Sequence, residues 1–151
     1  ASVQVFLSST CPISNGYAPE LQRLQRDYRA KDVAFYAVYS ADSDRAVASR
    51  HAAEFGLTGY SVVHDPTQKY ARKAGVTATP EVAVWDAKGT LRYRGRIDDR
   101  YAALGVRRAK ARTSDLRHAL DALMAGRAVP VPRTRAIGCV LPSSADGEAK
   151  P

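Results

Sequence analysis

The sequence predicts an α/β fold: a mixed central sheet flanked by helices, followed by an extended C-terminal tail. Three observations predict it. From residue 3 to residue 73, segments rich in β-formers alternate with segments of helical periodicity. A hairpin signal then follows, residues 81–85 and 91–94 joined by Asp86-Ala87-Lys88-Gly89, which mixes antiparallel strands into the sheet. Beyond Val129 the chain is punctuated by prolines and apolar at near-alternating places, Val129, Val131, Ile137 and Val140.

The elements follow in order. Residues 3–7 are apolar nearly throughout, as a central strand buried on both faces reads. Cys11 falls on the strand-to-helix turn, with Pro12 suited to a helix start because its missing N–H would be unpaired there anyway. A first helix is expected from Gly16 to about Arg29, kinked at Pro19. Residues 32–39 read as a second strand and 41–55 as an amphipathic helix with Ala46, Val47, Ala53 and Phe55 toward the core and Gly56 as C-cap. A short strand at 61–64 and a brief helix at 67–73 lead to Gly75. Residues 97–113 form a highly charged connection, longer than a compact domain needs. Thr113-Ser114-Asp115 can cap a last helix whose face includes Leu116, Leu120, Leu123 and Met124, with Gly126 as the stop. Residues 143–151 lack a core-forming pattern and are expected to fray. The expected division is a domain at 1–128 and a tail at 129–151.

Composition bounds the function. With 151 residues, 45% hydrophobic and 25% charged, the chain suits one domain with a sizeable core. No apolar run is long enough for a transmembrane segment. The net charge of +8 reads first as a generic basic surface, with an acidic partner or an anionic surface as the functional alternative. The basic residues are scattered, with no aromatic-interleaved stripe, so nucleic-acid binding is not expected.

A cysteine at a helix N-terminus meets unpaired N–H groups and the positive end of the helix dipole, which favour its thiolate and lower its pKa. The stretch from Ser8 to Leu21 resembles the active-site segment of the thioredoxin-like family: Cys11 stands for the first cysteine and Pro19 for the later proline, within Ala-Pro-Glu-Leu. Ser14 occupies the place of the second cysteine, giving Cys11-Pro12-Ile13-Ser14, and Val5 the place of the buried aspartate. Gly75 to Pro80 resembles the family's glycine-to-cis-proline loop. That likeness implies a cis Thr79–Pro80 bond and Thr79 polar groups offered to an extended substrate peptide. The added strand and helix between Cys11 and Pro80 are similar to the redoxin branch, which includes TlpA-like and AhpC/TSA-like proteins. The resemblance covers residues 3–126. It implies a thiol–disulfide oxidoreductase using Cys11, with protein or peptide disulfides and a thiol reductant as partners and with no cofactor.

Cys139 is open to two readings. It is a buried small apolar residue, or the tail returns and presents it to Cys11, with Gly138 allowing close approach. A Cys11–Cys139 pair would resolve a mixed disulfide or be structural, and closing so large a loop contributes on the order of 4–5 kcal/mol. Ser14 is a candidate donor to the Cys11 sulfur, or a cap. The peroxiredoxin alternative is supported by Ser8, three residues before Cys11; its arginine is missing at Thr79-Pro80-Glu81, so Arg94 or Arg96 would have to replace it. Monothiol glutaredoxins share the CxxS pattern, but the insertion and Cys139 argue against them. A third alternative is a non-enzymatic module with a structural disulfide, binding a protein partner through residues 97–113. His51 and His118 read as solvated or helix-packing residues, and metal binding through Cys11, His64 and Cys139 is not expected. Asp98-Asp99-Arg100-Tyr101 is a solvated turn, or else Tyr101 and Arg107-Arg108 contact the tail or a partner. A two-cysteine disulfide suits the periplasm or another exported location, and a start at Ala1 directly in a strand suits either a mature exported protein or a cloned domain.

Overall fold

The computed structural model describes residues 1–42 and 44–142, so the expected frayed end at 143–151 lies outside the described residues. Its sheet is organised around the apolar strand β1 (Ser2–Leu7). Three helices, α1 (Pro12–Gly16), α2 (Ala18–Tyr28) and α3 (Arg45–Glu54), alternate with the parallel strands β2 (Ala34–Tyr39) and β3 (Ser61–His64). After α4 (Lys69–Ala74) and the two-residue β4 (Ala78–Thr79), the strands β5 (Glu81–Trp85) and β6 (Leu91–Gly95) join antiparallel, giving the order β3-β2-β1-β5-β6. This is a mixed, thioredoxin-like sheet with helices on both faces.

Strand alternation divides the core. Val3, Val5 and Leu7 point into one cluster with Leu21 and Leu24 of α2 and Ala48 and Ala52 of α3. Leu116, Ala119 and Leu120 of the last helix, α5 (Asp115–Met124), belong to it as well. Phe6, Val38 and Ala83 face the other way, against Ala71 and Ala74 of α4. Val5 lies opposite Ala37 and Val82, so the register puts apolar side chains side by side across three strands.

Several expectations change in detail. The first helix starts at Pro12 rather than Gly16, and it is broken at Tyr17 rather than kinked. Pro19 explains the break: in a continuous helix it would leave the Asn15 carbonyl without a donor, whereas in the first turn of α2 its missing N–H costs nothing. In α3 the buried residues are Ala48, His51 and Ala52, while Ala46 and Ala53 are exposed. The face is rotated because His51 is inside, hydrogen-bonded at both ring nitrogens. Asp44 caps this helix by accepting from the Ala46 amide at 2.8 Å. In α5, Leu116 and Leu120 are buried but Met124 is exposed, and Ser114 sits at the N-cap without a side-chain bond.

The β5–β6 loop folds as its sequence suggests. Asp86 accepts from the amides of Lys88 and Thr90, each at 2.9 Å, and Gly89 takes the left-handed φ of 80° that the turn requires. The charged connection is not structureless: it forms a small hairpin, β7 (Tyr101–Ala103) with β8 (Val106–Arg107). Among the described residues no helix is long and apolar enough to cross a membrane.

Candidate active site

β1 ends at Leu7, and the turn that follows is tied by the Cys11 amide to the Ser8 carbonyl at 3.2 Å. Cys11 is then the N-cap of α1, its carbonyl accepting from the Asn15 amide at 3.0 Å. The Thr79–Pro80 peptide bond is cis, and the Thr79 carbonyl oxygen lies 3.3 Å from the Cys11 sulfur. The sulfur is bonded to that of Cys139, 128 residues along the chain, with the two Cα atoms 6.1 Å apart. Cys11 is only 2% exposed.

The tail reaches this place by backbone pairing at two points. Pro132 and Thr134 bracket a bridge to β6: the Arg94 amide donates to the Pro132 carbonyl at 3.0 Å, and the Thr134 amide to the Arg94 carbonyl at 3.1 Å. The Thr134 hydroxyl is held by Tyr93 and by the Arg96 amide. The last strand, β9 (Cys139–Val140), then pairs antiparallel with β4, Cys139 opposite Thr79. The Leu141 amide donates to the Thr77 carbonyl at 2.9 Å, and the Leu141 side chain is buried in the second core cluster. Gly138 is required here, because a Cβ at this position would overlap the Thr79 carbonyl. The edge beside the cis-proline is therefore filled by the chain's own tail.

Ser14 is buried, and its hydroxyl accepts from the Ser8 amide at 3.4 Å instead of serving the Cys11 sulfur. Ser8 places its hydroxyl against Thr10, Arg94 pairs with Glu81 and Arg96 with Asp115. Neither candidate arginine for peroxide chemistry is directed to the cysteine. His51 is a packing residue: Nε2 meets the Asn15 Oδ1 at 2.6 Å and Nδ1 the Tyr39 hydroxyl at 2.8 Å, which anchors α1 to α3 and β2. Burial holds its pKa below the usual histidine value, with Asp42 and Glu54 pulling the other way. His64 bonds the Asp42 carbonyl. Among the described residues no group of three or more His, Cys, Asp or Glu side chains is placed to hold a metal ion.

The pair Asp98-Asp99 corrects the reading as a solvated turn, since both are buried. Asp98 accepts from the Tyr17 hydroxyl at 2.5 Å, and Tyr17 in turn packs on Tyr101 with ring centroids 5.4 Å apart. Burial raises the Asp98 pKa, against the lowering effect of Tyr17 and the Arg100 amide. Asp99 has the opposite fate. Burial opposes its ionisation, but the Thr113 amide, the Arg112 side chain and the Arg112 amide bring its pKa down to about 2. These two acids anchor the hairpin, and composition alone hid them.

A pH dependence follows for Asp99. Its folded pKa lies below the ordinary value of about 3.9, so its contribution is present above pH ~4 and is lost as pH falls toward 2. Asp99→Asn is expected to lower stability by about 2 kcal/mol at pH 7, with the difference from the parent shrinking toward zero near pH 2. Urea unfolding at a series of pH values measures both.

The sequence model of the Redoxin family matches residues 2–110. No curated protein matches the chain. Among solved structures, an uncharacterized conserved protein from Geobacillus kaustophilus is 29% identical, with a TM-score of 0.79 over 95% of this chain and 77% of its own. A hypothetical protein from Sinorhizobium meliloti is 26% identical, with a TM-score of 0.81 over 93% of this chain and 78% of its own. A secreted disulfide oxidoreductase from Mycobacterium tuberculosis is 21% identical, with a TM-score of 0.51 over 60% of this chain and 64% of its own, a likeness of fold. The first two cover nearly the whole chain, and the third covers a little more than half of it.

Proposed function

The chain belongs to the Redoxin family, and from that premise we propose that it is a redoxin-fold protein-binding module whose Cys11–Cys139 disulfide is a structural staple. The seating of the tail supports this reading. A resting catalytic cysteine needs an approach for substrate, whereas Cys11 is buried under β9, and the strand before and after Cys139 is paired to β6 and β4. Residues 129–142 of the tail thus act as a built-in strand for the domain at 1–128. The surface left for a protein partner is the β7–β8 hairpin, where Leu104 and Val106 are 67% and 54% exposed among basic residues. A permanent disulfide suits an oxidising, exported compartment.

One observation favours a second reading, thiol–disulfide exchange. Cys139 occupies, on an antiparallel strand beside the cis-proline, the position of a cysteine in an extended substrate. In this reading the Cys11 thiolate attacks a substrate disulfide, forming a mixed disulfide and releasing one substrate thiolate. The Cys139 thiolate then attacks the Cys11 sulfur, releasing the second substrate thiolate and leaving the bond seen here. A dithiol would return the pair to its reduced form, itself becoming a disulfide.

Turnover separates the readings. With a disulfide-bonded peptide and excess dithiol, the staple predicts a peptide reduction rate set by the dithiol alone. A rate that rises with protein concentration and disappears in Cys11→Ser would replace the staple with the exchange reaction.

A further inference from the structure

The hairpin and the tail together enclose a second cavity, apart from the disulfide. It has a volume of about 520 Å³, in the range of small-molecule sites. Four arginines line it, Arg96, Arg108, Arg112 and Arg135, with one acidic residue, Asp99. The charges do not cancel. Asp99 is committed to Arg112 and to the amides of Arg112 and Thr113, and Arg96 is matched by Asp115 at 2.6 Å. Arg108 donates to the carbonyl of Asp99 at 2.7 Å; its charge also favours the ionised Asp99, but among the described residues it forms no ion pair of its own. Arg135 forms no ion pair among the described residues.

Two cations that form no ion pair among the described residues, one from the hairpin and one from the tail, thus share a single cavity. Like charges gathered in a partly enclosed place repel, and an anion between them removes that cost. Guanidinium forks match the paired oxygens of a carboxylate or phosphate, which a simple halide does not offer. Tyr101 and Ile137 add an apolar wall. We infer that this cavity binds a small oxyanion-bearing molecule, held through Arg108 and Arg135. The site uses neither cysteine, and in the oxidised chain it is the same whether the disulfide is a staple or an exchange pair.

The test is calorimetric titration of the oxidised full chain with pyrophosphate and, separately, with succinate, sodium chloride keeping ionic strength constant. Saturable one-to-one binding of either probe is expected, and the probe that saturates assigns phosphate or carboxylate chemistry. Arg108→Gln and Arg135→Gln are each expected to weaken it about tenfold or more, as loss of a charge-assisted fork should. Arg135 is exposed and forms no ion pair among the described residues, so Arg135→Gln is expected to preserve the fold and decides the matter if Arg108→Gln disturbs the hairpin. Failure of both probes to saturate overturns the inference, and so does saturation that Arg135→Gln leaves unchanged.

Discussion

The double variant Cys11→Ala/Cys139→Ala is expected to be about 4–5 kcal/mol less stable than the oxidised protein. The bond closes a loop of 128 residues, nearly the whole described chain, so it removes a large share of the unfolded chain's freedom. The folded side loses less. Both core clusters are built mainly from residues before the tail, and among the described residues Leu141 is the tail's one buried apolar side chain. The variant should therefore remain folded while β9 leaves β4, with new solvent access to Thr79. Urea unfolding of variant and parent under oxidising conditions measures the loss. Equal midpoints would mean that the tail's hydrogen bonds, not the disulfide, hold this end of the molecule.

Leu120→Ala carries the second large effect. Leu120 is fully buried in α5, in the cluster that also holds Leu116, Val82 and Val84 of the sheet. Truncation removes transfer free energy and leaves a cavity between helix and sheet, and about 2–5 kcal/mol is expected from such substitutions. The same measurement on Met124→Ala, whose side chain is exposed, should move stability by no more than about 0.5 kcal/mol. Reversal of the two would place the wrong face of α5 against β5 and β6.

Periodicity made much of this fold legible. The apolar run of β1, the Leu116/Leu120 spacing and the Asp86-to-Gly89 turn each follow from local chemistry that the tertiary structure leaves in force. Local chemistry misled where a polar residue finds buried partners. His51 turned the face of α3 because Tyr39 and Asn15, distant in sequence, satisfy its two nitrogens. Asp98 and Asp99 went inside for the same reason, one meeting Tyr17 and the other Arg112. At the site, Cys11 at a helix start and Pro80 at a strand mouth were visible as motifs. The partner of Ser14 was not, since a hydroxyl near a thiol looks alike whether it serves the sulfur or the Ser8 amide.

The oxidised, closed groove is the centre of the account, and non-reducing peptide mapping of the native protein tests it most directly. The expected result is one cross-linked species joining the peptides that contain Cys11 and Cys139, with both thiols appearing only after reduction in denaturant. Two free thiols in protein prepared under oxidising conditions, labelled without denaturant, would contradict the staple and the occupied groove together.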